Sequence, residues 1–262
     1  MKVLLTGATG YIGQRLLPVL VEGGHHVVCC VRDTRRFNPP ASMLPNTDVI
    51  EVDLLDQATL DRIPEDIDGA YYLVHSMSAS ADYEILEHQS AVNFRNALNN
   101  TKVEHVVYLS GIVNESNLSK HLGSRKNVEL ELGKGDYQFT ALRAGIIIGS
   151  GSASFEIIRD LVEKLPIMIT PKWLQVKCQP IGISDVIKFL SETLFNPATF
   201  NDNFDIGGPD VLSYKDMLLD FAKARKLKRI IIIVPVMTPR LSSYWLYFVT
   251  STSYKLAVAL VN

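Results

Sequence analysis

The segment Thr6 to Gly13, TGATGYIG, constrains the fold of this chain more than any other stretch. It follows the apolar run KVLLT (2–6) and leads into residues 11–22, whose apolar side chains recur at helical spacing. A glycine-rich turn that joins a buried strand to a helix is typical of the first unit of a doubly wound α/β domain. The alternative is an ordinary glycine-rich turn, which would predict no repetition of this strand–helix pattern downstream.

The pattern does repeat. Apolar runs predict strands at 26–31, 48–53, 70–75, 105–110 and 139–145, and helical spacing predicts helices at 57–62, 82–99 and 119–132. Such alternation favours right-handed crossovers and a parallel sheet with helices on both faces. After Gly149 the rhythm is looser. We predict an α/β fold: a Rossmann-like doubly wound parallel sheet in residues 1–150, and a small C-terminal substrate lobe, interleaved with it, in residues 151–262.

The composition excludes several classes of protein. With 26 Lys and Arg against 28 Asp and Glu, the net charge of −2 gives no reason to expect nucleic-acid binding. The longest clean apolar run, Ile230 to Met237, is far shorter than the ~18 residues of a membrane span. Cys29, Cys30 and Cys178 do not form a disulfide framework, and no metal-ligand spacing appears. We therefore expect a cytoplasmic protein with no membrane span, no metal and no nucleic-acid partner.

The three glycines of TGATGYIG each suit one task in holding a dinucleotide. Gly7 permits a tight turn, Gly10 lets the backbone approach a pyrophosphate, and Gly13 lets the helix pack closely on the sheet. The helix N-terminus then offers N–H groups and the positive end of its dipole to the phosphates. The segment predicts a dinucleotide site.

The residues after the second strand bear on the choice between NAD and NADP. An acidic side chain there would bind the ribose 2′-hydroxyl, whereas an arginine would pair with a 2′-phosphate. Arg32 comes first, followed by Asp33, and Arg35 and Arg36 lie just beyond. Three guanidinium groups suit a phosphate dianion. Asp33 argues for NAD, and a solvated charged loop is the third interpretation. We expect NADP(H) to be favoured over NAD(H).

A series of motifs in order along the chain carries a family resemblance. After TGATGYIG come VRD (31–33), VDLLD (52–56), YYLVHSM (71–77), YLSG (108–111), LRAGIIIGSGSASFE (142–156), QPIGISDV (179–186) and FDIGGPDVLSYKDM (204–217). Together they resemble the atypical short-chain dehydrogenase/reductase family, in its NAD(P)H-binding, NmrA-like and nucleoside-diphosphate-sugar-epimerase-like subgroup. The resemblance implies the fold and the cofactor class. It does not imply one reaction, because the group includes reductases, epimerases and non-catalytic redox sensors.

The resemblance also implies site residues. It places Gly7, Thr9, Gly10, Tyr11 and Ile12 at the pyrophosphate, Arg32 at the adenosine ribose, Asp53 and Leu54 near the adenine, Val74 and His75 beside the nicotinamide ribose, and Ser110 at the family's serine position. Relatives in the subgroup often carry a second, START-like domain. The apolar tail 240–262 is therefore expected to dock such a domain or a second protomer, or else to pack as a last helix. A helix on a membrane surface is a further alternative, which is disfavoured because Lys255 alone supplies positive charge near the end of the tail.

Most short-chain reductases use Tyr-x-x-x-Lys on the helix after strand five. In SKHLGSRK (119–126), His121 stands in the tyrosine place and Arg125 in the lysine place, and their spacing puts both on one helix face. A neutral imidazole can donate a proton, and Arg125 would hold the ribose hydroxyls. His75 is a second candidate acid, and Ser110 would polarise a carbonyl. The alternative is a solvated helix face without catalysis. For Arg143 the alternatives are a place near the cleft and a strand-end salt bridge.

These observations support two functions of different classes. One is an NADP(H)-dependent oxidoreductase that reduces a small carbonyl, enone or quinone. The other is a non-catalytic NADP(H)-binding redox sensor or assembly factor. A sugar-nucleotide epimerase is disfavoured, because relatives with that activity normally keep the tyrosine that this chain lacks.

Overall fold

The computed structural model describes residues 1–75, 83–113 and 120–234, with the side chains of residues 120 and 121 outside the description. The strands are β1 Lys2–Thr6, β2 His26–Val31, β3 Thr47–Glu51, β4 Gly69–Tyr72, β5 His105–Gly111, β6 Gln138–Ala144, β7 Ile147–Ile148, β8 Ile167–Pro171, β9 Lys177–Cys178, β10 Ile181–Gly182, β11 Asp202–Ile206, β12 Leu212–Ser213 and β13 Ile230–Val234. The helices are α1 Gly13–Glu22, α2 Gln57–Leu60, α3 Tyr83–Leu98, α4 Lys120–Leu132, α5 Ala153–Lys164, α6 Ile183–Thr193 and α7 Tyr214–Ala224.

Seven strands form a parallel sheet in the order β11-β6-β5-β4-β1-β2-β3. The chain runs outward from β1 to β3, returns to pair β4 with the other side of β1, and then runs outward again. The switch point therefore lies between β1 and β4, and ligands of such sheets bind outside the carboxyl ends of the strands at this point. The predicted Rossmann-like doubly wound α/β fold is confirmed.

Successive residues of each central strand serve opposite faces of the sheet. Tyr72 packs with α3 and α4 in one core, where its ring meets Phe94 edge to face with centroids 5.0 Å apart. Tyr71 belongs to the other face, where its hydroxyl donates to the Leu190 carbonyl of α6 over 2.8 Å. Cys29 and Cys30 are buried in the same alternating manner, and burial raises the pKa of Cys29 to about 12. Both thiols are therefore protonated core residues.

Strand β4 is shorter than the sequence predicts. The pattern 70–75 suggests a strand to His75, but β4 ends at Tyr72. The cause is Thr6 at the end of β1. Its hydroxyl donates to the Tyr71 carbonyl over 2.9 Å and accepts from the Leu73 N–H over 3.2 Å, so a side chain replaces the next strand–strand hydrogen bond. Val74 and His75 consequently lie in the segment that follows β4.

The described residues fall into two compact units. The first contains residues 1–75, 83–113, 120–144 and 184–206, which include α6 and β11, and the second contains residues 145–183 and 207–234. The sequence predicts a smaller lobe in residues 151–262 that is interleaved with the sheet domain. Helix α6 and β11 belong with the sheet because β11 extends it beside β6. The division at residue 150 and a substrate role for the second unit stay predictions.

The second unit has its own apolar core, in which Val162 of α5 and Met168 of β8 are fully buried. Three two-stranded ladders accompany it: β7 with β10, β9 with β12, and β8 with β13. Ser213 caps α7 in a capping box with Asp216. The predicted tail 240–262 lies outside the described residues. Across the described ranges, no helix is long and apolar enough to cross a membrane.

Candidate dinucleotide and active site

The residues implied by the resemblance lie along one edge of the sheet. Each lies at or just beyond the carboxyl end of its strand. Along the edge they are Asp53 after β3, Arg32 after β2, Gly7 after β1, His75 after β4 and Ser110 in β5. Adjacent strands are about 4.8 Å apart, so this row extends over about 19 Å. The structure thus brings the candidate residues of 5 separate strands into one line.

The loop between β1 and α1 has the geometry that the glycines predict. Gly7 has φ +68°, and a Cβ atom on it would lie 2.7 Å from the Leu73 carbonyl oxygen. A Cβ atom on Gly13 would lie 2.3 Å from the Gly7 carbonyl oxygen. The same oxygen accepts the Gly10 N–H over 2.8 Å. Both Gly7 and Gly13 are therefore required by close backbone contacts, and the loop is a compact cradle.

The N-terminus of α1 is suited to an anion. Its N-cap residue, Ile12, provides no side-chain hydrogen bond, and the first turn contains no acidic residue. Thr9 and Gly10 are exposed beside it, whereas Tyr11 and Ile12 are half-buried. A helix start without a capping or acidic side chain leaves its positive dipole end available. The cradle and this helix start fit a pyrophosphate group.

Tyr11 is held by the helix that it precedes. The Arg15 guanidinium carbon lies 3.8 Å from the centre of the Tyr11 ring, and Arg15 Nη1 donates to the Tyr11 carbonyl over 3.1 Å. The Tyr11 hydroxyl is buried and has no hydrogen-bond partner in the part of the chain that the structure describes. The ring is thus fixed at the rim of the cradle with an unsatisfied polar atom.

The loop after β2 pairs its acid with one of its arginines. Asp33 accepts from the Arg35 backbone N–H over 3.1 Å and from Arg35 Nε and Nη2 over 2.9 and 3.1 Å. These hydrogen bonds hold the pKa of Asp33 below its usual range. Arg32 is exposed and makes no ion pair with any residue that the structure describes. The acid that would favour NAD is therefore already bound by a neighbouring guanidinium group.

Asp53 and Leu54, which follow β3, differ in exposure. Asp53 is half-buried, and its Oδ1 accepts the Leu55 N–H over 3.0 Å. Leu54 is only 7% exposed and packs in the core, while its carbonyl accepts from Asn93 Nδ2 over 2.7 Å. Of the two, only Asp53 offers its side chain at the sheet edge.

His75 is paired with a buried acid that is absent from the site residues predicted from the sequence. Glu87 of α3 is 6% exposed, and its Oε1 lies 2.8 Å from His75 Nδ1. The Ser124 hydroxyl of α4 donates to Glu87 Oε2. One signal for Glu87 was present: it lies four residues after Tyr83 and four before Ala91, on the buried face of α3. A charged residue at a core position indicates a specific partner.

Ser110 and Arg125 lie together at the end of β5. A Cβ atom on Gly111 would stand 2.8 Å from Arg125 Nη1, so the arginine side chain lies over the residue that follows Ser110. Ser110 is buried, and its hydroxyl makes no hydrogen bond of normal geometry within the described residues. Burial raises the pKa of the neighbouring Tyr108 to about 12, and the nearby Ser110 hydroxyl partly opposes this rise.

The side chain of His121, the first candidate acid, lies outside the described residues. Its backbone belongs to α4, so the spacing of one helical turn to Arg125 holds. Arg143 of β6 forms the strand-end salt bridge that was one of its two alternatives. Its Nε donates to Glu129 over 3.0 Å, and this hydrogen bond raises the pKa of Arg143.

Comparison with known proteins identifies the family. Residues 7–147 match the family described as NAD(P)H-binding. This chain belongs to that family. The predicted resemblance to atypical short-chain dehydrogenases/reductases is confirmed, and NAD(P)H binding is the common property of the group. The glycine loop described above lies at the start of the matched region.

The curated relatives include plant enzymes named divinyl chlorophyllide a 8-vinyl-reductase, chloroplastic. The one from Cucumis sativus is 26% identical over 224 residues, which cover 79% of this chain and 53% of the relative. The one from Arabidopsis thaliana is 23% identical and covers 80% and 54%. The chain therefore spans about half the length of these relatives. The predicted cytoplasmic location stays a prediction.

Solved structures share the fold at low identity. A nucleoside-diphosphate-sugar epimerase from Staphylococcus aureus superposes with a TM-score of 0.78 at 15% identity, covering 100% of this chain and 89% of that one. An NADPH-dependent quinone oxidoreductase from Escherichia coli, complexed with NADPH, has a TM-score of 0.77 at 16% identity and covers 99% and 86%. At these identities the likeness establishes the fold.

Proposed function

We propose that this protein is an NADPH-dependent oxidoreductase that reduces a small carbonyl, enone or quinone. The observation that carries the proposal is the grouping of Ser110, Arg125 and His75 at the ends of β4 and β5, next to the glycine cradle after β1. A reductase needs polar groups beside the nicotinamide end of its cofactor, and a simple nucleotide carrier does not.

The preference for NADPH follows from the loop after β2. With Asp33 engaged by Arg35, the side chain available to meet a ribose substituent is the exposed Arg32. A guanidinium group binds a phosphate dianion through charge-assisted hydrogen bonds, whereas a bare 2′-hydroxyl offers it much less. Arg36 lies near enough to contribute to the electrostatic stabilisation of ionised Asp33, so the loop remains positive overall.

The proposed reaction is a two-electron reduction. NADPH, when bound, would supply a hydride to an electrophilic carbon of the acceptor, whose oxygen would then need a proton. In this scheme the Ser110 hydroxyl donates a hydrogen bond to that oxygen, and the positive charge of Arg125 stabilises the negative charge that develops there. Arg125 also binds the ribose hydroxyls. An imidazole, that of His121 or His75, gives the proton.

The relatives support this class of substrate. Vinyl reductases and a quinone oxidoreductase are among the proteins that this chain resembles. Conjugated acceptors suit a site without a Tyr-x-x-x-Lys pair, because delocalisation of the developing charge lowers the demand on a single proton donor. The alternative is the non-catalytic NADP(H)-binding sensor or assembly factor, which the absence of tyrosine from α4 favours.

A titration and a turnover screen test the proposal. Purified protein is titrated with NADPH and, separately, NADH, and nucleotide fluorescence is followed. We expect tighter binding of NADPH, and oxidation of NADPH with at least one quinone, enone or carbonyl compound. Tight NADPH binding without turnover of any acceptor would favour the sensor. Interconversion of sugar nucleotides would favour the epimerase, and failure of a folded sample to bind either nucleotide would refute all three.

A further inference from the structure

We propose that Glu87 is a positioning residue that fixes the His75 imidazole, and that His75 is consequently the proton donor of the site. The second half of this statement rests on the proposed reductase function. The first half concerns the protein alone and is testable without a substrate.

Among its contacts, Glu87 joins the segment after β4 to helix α4. Its Oε1 lies 2.8 Å from His75 Nδ1 in the segment after β4, and its Oε2 accepts the Ser124 hydroxyl of α4. At 6% exposure the carboxylate has little contact with water. A buried carboxylate needs such hydrogen bonds to stay ionised, and with both oxygens engaged it cannot rotate freely.

The contact dictates the tautomer of His75. An ionised carboxylate only accepts hydrogen bonds, so the hydrogen must be on His75 Nδ1. Nε2 is then the nitrogen that takes up a proton from the solvent, and the resulting imidazolium, which the Glu87 carboxylate stabilises, is the form that gives this proton to the acceptor. The His75 side chain is 25% exposed, so the imidazole keeps contact with the solvent while Nδ1 is held by a buried group. This is the arrangement in which a carboxylate orients a histidine for acid–base chemistry.

Stability alone is a weak reason for this network. A buried ion pair often contributes little to the free energy of unfolding, because desolvation offsets the attraction between the charges. The position of Ser124 gives a functional reason. It directly precedes Arg125, whose guanidinium lies over Gly111. Glu87 therefore fixes the His75 imidazole and the helical turn that carries Arg125 with one carboxylate.

The first arm of the test is a nuclear magnetic resonance measurement on the full chain. Long-range ¹H–¹⁵N spectra, assigned with His75→Gln, report which ring nitrogen of His75 carries the hydrogen. At a pH at which the His75 ring is neutral, we expect the Nδ1–H tautomer in the native protein and its loss in Glu87→Ala. Glu87→Gln, whose amide oxygen still accepts, keeps it. Glu84→Gln, an exposed acid on the same helix, is the matched control and leaves it unchanged. An Nε2–H tautomer in the native protein, or no change in Glu87→Ala, overturns the positioning role.

The second arm measures turnover of whichever acceptor the screen identifies. We expect His75→Gln to lower kcat at least about 100-fold, as loss of a general acid does. Glu87→Gln, which keeps the shape but removes the charge, lowers kcat about tenfold while KM and the Kd for NADPH change less than about twofold. Equal kcat values in the native protein and His75→Gln overturn the role of His75 as donor.

The two arms separate the two ways of being wrong. If no acceptor is reduced by the native protein, the proposed function and the role of His75 as donor fail together, and the tautomer result still decides whether Glu87 positions the imidazole. If Glu87→Ala does not fold, Ser124→Ala tests the same network. It removes the hydrogen bond from α4 to Glu87 Oε2, and we expect faster exchange of the His75 Nδ1 hydrogen with water. An unchanged exchange rate counts against the network.

Discussion

The guanidinium group of Arg125 occupies the space that a side chain at Gly111 would need. A Cβ atom there would lie 2.8 Å from Arg125 Nη1 and 3.3 Å from its Cδ. The last residue of β5 therefore determines where the arginine of α4 is held. Since the site depends on a small residue at this point, the glycine can be tested directly.

We predict that Gly111→Ala displaces Arg125 and weakens NADPH binding about tenfold, which corresponds to about 1.4 kcal/mol. The matched control is Gly123→Ala in α4, where a Cβ atom meets no atom of the described residues within 4 Å. It should leave the Kd unchanged and raise the Tm, because alanine is favoured over glycine in a helix by up to about 1 kcal/mol. Fluorescence titration and thermal unfolding measure both. Equal Kd values for the two variants would contradict the proposed role of Arg125.

The glycine cradle gives a second prediction. In Gly13→Ala, the new Cβ atom would lie 2.3 Å from the Gly7 carbonyl oxygen and 2.8 Å from the Ala8 Cα atom, and these backbone atoms cannot rotate away. We expect the free energy of unfolding to fall by about 1–3 kcal/mol or more and nucleotide binding to be lost. Urea unfolding and NADPH titration check this. A variant of native stability and affinity would show that the loop is not the cradle described.

The loop after β2 gives a third prediction. Arg32→Ala should weaken NADPH binding about tenfold or more and leave NADH binding unchanged, because only the 2′-phosphate is lost as a partner. Asp33→Ala should not weaken NADPH binding, since it releases Arg35 from the pair that now binds it. Lys188→Ala, an exposed charge on α6, is the control. Loss of NADH affinity in Asp33→Ala would show instead that the acid binds the ribose hydroxyl.

His105 gives a prediction of pH dependence. It is fully buried, its Nδ1 accepts the Phe195 N–H over 2.9 Å, and its Nε2 lies 2.9 Å from the Thr140 hydroxyl. Burial lowers its pKa from 6.5 to about 4. Between these values the unfolded chain binds more protons than the folded protein. The contribution of neutral His105 to the free energy of unfolding is thus complete above pH 6.5, the pKa in the unfolded chain, and is lost as the pH falls towards 4.

We therefore expect the share of His105 in this loss to be on the order of 3 kcal/mol between pH 7 and pH 4. Urea unfolding at a series of pH values should give a flatter curve for His105→Gln than for the native protein. Parallel curves for the native protein and His105→Gln would refute the assignment.

The strand–helix alternation was readable from the sequence because each element is a local pattern. The candidate residues came from the family resemblance, and the strand order of the structure places them along one edge of the sheet. Two features were not local. Strand β4 ends early because the Leu73 N–H bonds to Thr6, which is 67 positions away. Strand β8 was not predicted, because its partner β13 begins about 60 residues later in the chain. Its exposed positions, Ile167 and Ile169, are apolar like the buried Met168, so the sequence does not show which face is buried.

The candidate site was predicted less completely than the fold. The glycine cradle could be predicted, because its close backbone contacts leave room for glycine alone at Gly7 and Gly13. The pair between Asp33 and Arg35 was present in the sequence, but nothing in the order of the letters shows that the acid is bound by its neighbour rather than by a ligand. Glu87 and His75 come together because α3 packs beside β4 and α4. Such a contact depends on side-chain packing, which sequence spacing does not specify.

The line of residues along the sheet edge links nucleotide binding to the stability of the folded state. Its members come from positions between 7 and 110, and they become neighbours only when five strands have paired. A partly unfolded chain therefore has no nucleotide site, and the dinucleotide binds the folded state alone. At a free concentration 100 times its Kd, such a ligand adds about 2.7 kcal/mol to the free energy of unfolding. Depletion of the nucleotide would accordingly expose the chain to proteases before any change in its covalent structure.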